Sequence, residues 1–245
     1  MHSDIIIIAD PHLGTQTGDV ARIISFIRTI DPHQTKLVFL GDLFHIWAGP
    51  LRYHSKQVRM LLSEIEAYQK SGGESYLVVG NREVLFRKFE KKAQYLPFTR
   101  IANDYLSLTL GKYHIVFNHG DLVNRQDKKY LIWRRFVRHP LFEFMMNTLP
   151  AKLANKILVS GEKNLKLTNH IYRKEFPKSE WTSFIERCYS IYQFDFLFVG
   201  HFHPKEMILD SFRSSTAVVV PGWITQQSYG KLSSLGEFKM VQFTS

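Results

Sequence analysis

Apolar residues in this chain gather into short runs at positions 5–9, 37–40, 76–79, 113–118, 194–199 and 217–220. Each run has strand length, is rich in Ile, Val and Phe, and is bounded by polar residues or glycine. Between the early runs the spacing of apolar positions changes. Val20, Ile23, Ile24, Ile27 and Ile30 recur at helical intervals after a turn at 14–18, and Val58, Leu61, Leu62, Ile65 and Tyr68 do the same ahead of Gly72 and Gly73. Alternating strand and helix predicts an α/β layered core. The later runs have less helix between them, which predicts a mixed sheet pair or a sandwich.

Residues 125–178 break this pattern. They carry 13 Lys and Arg against four acids, an excess of +9 that accounts for nearly all of the chain's formal +10. Trp133, Phe136, Leu141, Phe142, Phe144 and Met145 are interleaved with the cations, and Pro140 and Pro150 divide the stretch into short helices. With no low-complexity linker on either side, the segment reads as a helical insertion within one domain spanning 1–245. An excess of positive charge favours phosphate-bearing partners without choosing between nucleotides, nucleic acid and anionic lipid. The one cysteine, Cys188, rules out an internal disulfide and reads as a buried apolar residue of a helix. The start of the chain lacks a basic segment followed by a long apolar one, so no leader is expected. No stretch approaches the length of an uncharged bilayer span.

The chemistry lies where the runs end. Run 5–9 leads into Asp10-Pro11-His12, run 37–40 into Gly41-Asp42, and run 76–79 into Gly80-Asn81-Arg82-Glu83. Run 113–118 leads into His119-Gly120-Asp121, and run 194–199 into Gly200-His201-Phe202-His203. A lone Asp or His after a strand is an ordinary turn or cap residue. Five such ends in order are a different matter, because ligands of open α/β sheets gather beyond the carboxyl ends of the strands. The set combines Asp and Asn oxygens with His nitrogens and has no thiolate, which suits first-row divalent metals such as Mn, Fe or Zn. Seven ligands exceed the needs of one ion and suffice for two that share a carboxylate, the arrangement that clamps both oxygens in phosphoryl transfer.

Asp-x-His, Gly-Asp, Gly-Asn, His-Gly and Gly-His-x-His, in this order, resemble the calcineurin-like metallophosphoesterase superfamily. The resemblance implies a two-sheet sandwich flanked by helices. It implies Asp10, His12, Asp42 and His203 on one metal and Asp42, Asn81, His119 and His201 on the other, with Asp42 as the bridge. Most members have His after the Asn, as a candidate general acid. Here Arg82 stands there, which is always charged and grips phosphate in a bidentate fork. A phosphate monoester leaving from a diphosphate has a second pKa of about 6 and needs no proton donor. Arg82 therefore points to a pyrophosphate substrate, the bland alternative being a surface Arg in a salt bridge with Glu83 or another acid.

"DPHLG", "GDLFHIW", "GNREVLF", "HGD" and "FVRHP" together narrow the resemblance to the family of UDP-2,3-diacylglucosamine diphosphatases. That family implies cleavage of a UDP-linked diacyl sugar to UMP and a diacylglucosamine 1-phosphate in lipid A synthesis. It also implies Mn2+ as the metal and a place on the cytoplasmic face of the bacterial inner membrane. Segment 125–178 would be the lid that receives the acyl chains. Arg82, His201 and Asp42 would be catalytic, and Asn81, Arg82, Asp127, Tyr130, Ser160, Asn164 and, more weakly, Lys166 would contact substrate. Pro50-Leu51, Glu83, Pro204-Lys205 and Leu167 depart from the family pattern and bear on the exact substrate. A nuclease or cyclic-nucleotide phosphodiesterase of the same superfamily is the competing enzyme reading. The lid's Leu, Phe and Met content argues against nucleic acid as the partner. A non-catalytic scaffold is the third reading.

Overall fold

The computed structural model describes residues 4–14, 19–47, 55–83, 96–150, 152–154, 156–157, 160 and 176–244. Two sheets face each other. The first has six strands: β1 (Asp4–Ile8), β2 (Thr35–Phe39), β3 (Glu74–Val78), β4 (Arg100–Ala102), β10 (Ser228–Ser233) and β11 (Phe238–Gln242). Their order is β11-β10-β1-β2-β3-β4, parallel from β1 to β4 and antiparallel at β10 and β11. The second sheet runs β5-β6-β7-β9-β8, made of β5 (Tyr105–Leu110), β6 (Tyr113–Asn118), β7 (Phe196–Val199), β8 (Ile208–Phe212) and β9 (Ser215–Val219).

Residue alternation explains why the layers stack this way. Ile5, Ile7 and Ala9 point between the sheets, where they meet Val38, Val78, Ile115, Phe117, Phe198 and Val218. Ile6 and Ile8 point outward onto helices α1 (Asp19–Arg28) and α2 (Lys56–Lys70). The predicted stripe Val58, Leu61, Leu62, Ile65 and Tyr68 is the buried face of α2, whose N-terminus is capped by Ser55 accepting from the Val58 amide. On the far side, Val116, Leu197 and Val199 pack against α5 (Lys178–Tyr192) through Trp181, Phe184, Ile185 and Cys188. The result is a four-layer helix–sheet–sheet–helix sandwich, as the sequence pattern leads one to expect.

Helices α3 (Lys128–Val137) and α4 (Pro140–Thr148) lie in the basic segment. Pro140 opens α4, where its missing amide hydrogen is harmless. The two helices share a small apolar cluster of their own, built from Val137, Phe142, Met146 and Ala154. A short helix α6 (Trp223–Gln226) precedes β10. Among the described residues, no helix is long and apolar enough to cross a membrane.

Candidate metal centre

The parallel strands β1, β2 and β3 of one sheet and β6 and β7 of the other end on one side of the sandwich, so the loops that follow them share one pocket. The backbone there is forced: Asp10, His12, Asp42, His201 and His203 all sit at φ between 46° and 72°. Non-glycine residues pay on the order of 1 kcal/mol or more for this left-handed conformation, and such strain concentrates at functional sites. It turns each side chain sharply inward from a strand that points past the pocket. Gly41, at φ 85°, permits the closest approach. A Cβ on it would stand 2.2 Å from the His119 ring nitrogen.

The side chains converge in two groups. In the first, the Nε2 atoms of His12 and His203 lie 3.3 Å apart with their rings stacked. His203 Nε2 is 3.6 Å from Asp10 Oδ1, and His12 Nε2 is 3.9 Å from Asp42 Oδ2. In the second, His119 Nε2 is 3.0 Å from Asn81 Oδ1, 3.3 Å from His201 Nδ1 and 3.5 Å from Asp42 Oδ1. Asp42 thus presents one oxygen to each group.

Three observations test whether these donors suit cations. The buried Asp10 Oδ1 has no hydrogen-bond partner, while its other oxygen accepts from the His201 amide at 2.8 Å. A buried carboxylate oxygen that no hydrogen bond satisfies, set among imidazole nitrogens, is suited to ligate a cation. His119 Nδ1 lies 3.0 Å from the Leu40 carbonyl, to which it donates, so that deprotonation of the ring frees the Nε2 lone pair on the pocket side. Burial pushes His12 down to about 3 and His201 down to about 4, so both rings are neutral, the coordinating form. Asp10 is pushed up to about 7 by burial, with Asp42 adding to it. Burial also lowers His119, but the Asp42, Asp10 and Asp121 anions outweigh it and lift the ring to about 9. Burial raises Asp42 too; His119, His12 and Arg82 overcome this and hold it below its ordinary value. Asp10, His12 and His203, and separately Asp10, Asp42 and His119, bring ligand atoms within 4.8 Å of one another. The donor set fits divalent cations.

Arg82 borders the pocket. Its amide donates to Asp42 Oδ1 at 2.9 Å, its Nε lies 3.4 Å from Asp42 Oδ2, and its Nη1 donates to the His45 carbonyl at 3.0 Å. This is not a surface pair with Glu83. Glu83 is buried, and its carboxylate accepts from the amides of Gly80 at 2.8 Å, Asp42 at 3.0 Å and Phe44 at 3.2 Å. Asp127 caps α3 by accepting from the Tyr130 amide at 2.9 Å, and the Tyr130 hydroxyl donates to Asp121. Ser160 is exposed, and Asn164, Lys166, Leu167 and Pro50-Leu51 lie outside the described residues. The roles of Glu83, His45 and Asp121 were not foreseen from the sequence. Each stands in a motif the sequence offered, Glu83 in "GNREVLF", His45 in "GDLFHIW" and Asp121 in "HGD", but the motifs gave no role to these positions.

The calcineurin-like phosphoesterase family model matches residues 3–205, most of the chain and every residue of both donor groups. The chain belongs to this family. It is a metal-dependent hydrolase with a two-sheet calcineurin-like phosphoesterase fold. The UDP-2,3-diacylglucosamine hydrolase of Aliivibrio fischeri strain MJ11 is 26% identical over 231 residues, covering 91% of this chain and 92% of its own. The protein of the same name from Haemophilus influenzae strain PittGG is 27% identical over 245 residues, covering 96% and 97%. A solved archaeal phosphodiesterase aligns over 98% of this chain and 99% of its own, at 11% identity and a TM-score of 0.48.

Proposed function

We propose that this phosphoesterase hydrolyses the diphosphate of UDP-2,3-diacylglucosamine to UMP and 2,3-diacylglucosamine 1-phosphate. The observation that carries the reading is Arg82, a fixed cation at the rim of the pocket in the position where a proton-donating His is usual. Asp10, His12, Asp42 and His203 would hold one divalent ion and Asp42, Asn81, His119 and His201 the other, with Mn2+ as the expected metal. When bound, the pair of ions supplies an acidified water and neutralises phosphate charge.

The chain's own residues do the rest. Arg82 is held by Asp42 and His45 with its guanidinium at the pocket, where it grips the diphosphate and stabilises charge that grows on the leaving oxygen. The oxygen of water bonds to phosphorus, the anhydride P–O bond breaks, and the leaving phosphate monoester departs without a proton because its second pKa is about 6. The proton lost by water goes to solvent. His201, kept neutral by burial, orients toward the same centre without serving as an acid.

Segment 125–178 is proposed as the lid over this site. Ile132, Phe136, Leu141 and Phe144 on α3 and α4 are more than half exposed and sit among Lys128, Lys129 and Arg135. That combination of acyl-binding and anion-binding surface supports a lipid-linked substrate and a peripheral place on the inner membrane face.

The reading is tested by incubating the protein with UDP-2,3-diacylglucosamine in detergent with added Mn2+ and measuring UMP. Release of UMP is expected. Release only from short soluble diphosphates would retain the chemistry and reject the lipid. Arg82→Ala should lower kcat about 100-fold, the scale of losing one charge-stabilising donor, with metal content unchanged. Undiminished turnover would remove Arg82 from the mechanism.

A further inference from the structure

Tyr130, Arg134 and Arg138 stand four residues apart on α3 and at its end, so all three project from one face of the helix. That face does not point at the α3–α4 apolar cluster. Arg134 Nε donates to Asp121 Oδ2 at 2.7 Å, beside the Tyr130 hydroxyl on the same oxygen at 2.5 Å. Its Nη2 donates to Asp104 in the turn between β4 and β5. Arg138 reaches Asp104 as well, at 3.2 Å, and its Nη2 donates to the Gly80 carbonyl at 3.3 Å. Asp121 is two residues from His119, and Gly80 is the residue before Asn81. One helix face therefore grips two of the loops that carry the second group of donors, those of His119 and Asn81.

A cavity of about 540 Å³ lies on this side, lined by Glu83, Asp104, Leu131, Arg134, Arg138 and His139 among others. Charged hydrogen bonds from the two arginines carry position across this gap, each arginine joining α3 to two separate segments. Asp121 is buried, two residues along the chain from His119, and Arg134 fixes its carboxylate. Partners that orient metal-ligating residues from behind set metal affinity nearly as strongly as the ligands do.

We propose that Arg134 and Arg138 are positioning residues for the metal pocket, so that the base of the lid and the His119 and Asn81 loops form one coupled unit. The inference rests on the proposed metal pocket. By reciprocity, whatever steadies α3 tightens metal binding, and metal binding steadies α3.

The test measures Mn2+ binding without turnover, from the electron paramagnetic resonance signal of free Mn2+ titrated against the full-length protein. Arg134→Ala should weaken binding roughly tenfold or more, Arg134→Lys should weaken it less, and Arg138→Ala should weaken it independently of Arg134. Arg22→Ala, an equal charge change at an exposed position of α1, should leave binding unchanged. Thermal melts of each variant identify any that fail to fold. If Arg134→Ala does not fold, Arg134→Lys and Arg138→Ala carry the test, and wild-type affinity in both overturns the coupling. Wild-type affinity in a folded Arg134→Ala overturns it directly. An equal loss in Arg22→Ala does so too, since it would reduce the effect to net charge. Failure of the wild-type protein itself to bind Mn2+ would instead reject the metal pocket.

Discussion

Glu83 holds the two acid-bearing loops together from beneath. Three buried backbone amides, those of Gly80, Asp42 and Phe44, depend on its carboxylate. An unsatisfied buried amide costs about 1–3 kcal/mol, so Glu83→Ala should destabilise the fold by about 3 kcal/mol or more in urea unfolding, with Glu83→Gln intermediate. A loss below 1 kcal/mol would show that water takes over the three bonds. Cys188 gives the opposite kind of prediction. Burial raises its thiol to about 11, with no charge nearby strong enough to reverse this. A raised thiol pKa leaves little thiolate at neutral pH, so disulfide-exchange labelling of the native protein should be negligible at pH 8 and climb as pH approaches 11. Rapid labelling at pH 8 in the folded state would contradict its burial in α5. The inert reading of Cys188 was legible because its apolar helical surroundings are local in sequence. The role of Glu83 was not, because its partners Asp42 and Phe44 are about forty residues away.

At the level of elements, the strands that build the site were legible and those that close the sheets were not. β1, β2, β3, β6, β7 and β9 are buried on both faces and read as continuous apolar runs, found to within two residues at either end. β5, β8, β10 and β11 show one face to solvent or lie near an edge. β10, Ser-Tyr-Gly-Lys-Leu-Ser, alternates strictly between buried and half-buried positions and offers no run to see. β4 has three residues. The helices α1 and α2 were legible from period alone, because each lays a single stripe on a sheet. Helix α3 carries two faces at once, an apolar one toward α4 and a charged one toward the pocket, and the second is visible only when Asp121, Asp104 and Gly80 are in place. Its cap separates two roles for Asp127. Asp127→Ala should cost about 1 kcal/mol by loss of the cap, while Asp127→Asn, an equally good cap, should melt like the wild type. A raised KM in Asp127→Asn with unchanged melting would add a substrate contact to the capping role; unchanged KM would confine Asp127 to the cap.

Across the whole molecule, the two sheets put five loops from Asp10 to His203 on one rim. The donors for the two cation groups share Asp42, which turns one oxygen to each, and Asp10 lies within reach of both. Charge is divided to match. The rim is lined by carboxylates and imidazoles, and the surplus of cations sits in 125–178, on the segment proposed to meet phosphate and lipid. The spacing of the five motifs announced the pocket because the fold repeats one device, a strand ending in a tight turn, at each of them. The bonds that hold the pocket's outer wall follow no such repeat. Metal content after reconstitution with Mn2+ and removal of free ion is the most direct test of the shared pocket. Two ions per chain are expected for the wild type and fewer than one for Asp42→Ala, because the lost carboxylate serves both groups. A wild-type chain that retains no ion, or an Asp42→Ala chain that still retains two, would contradict the account.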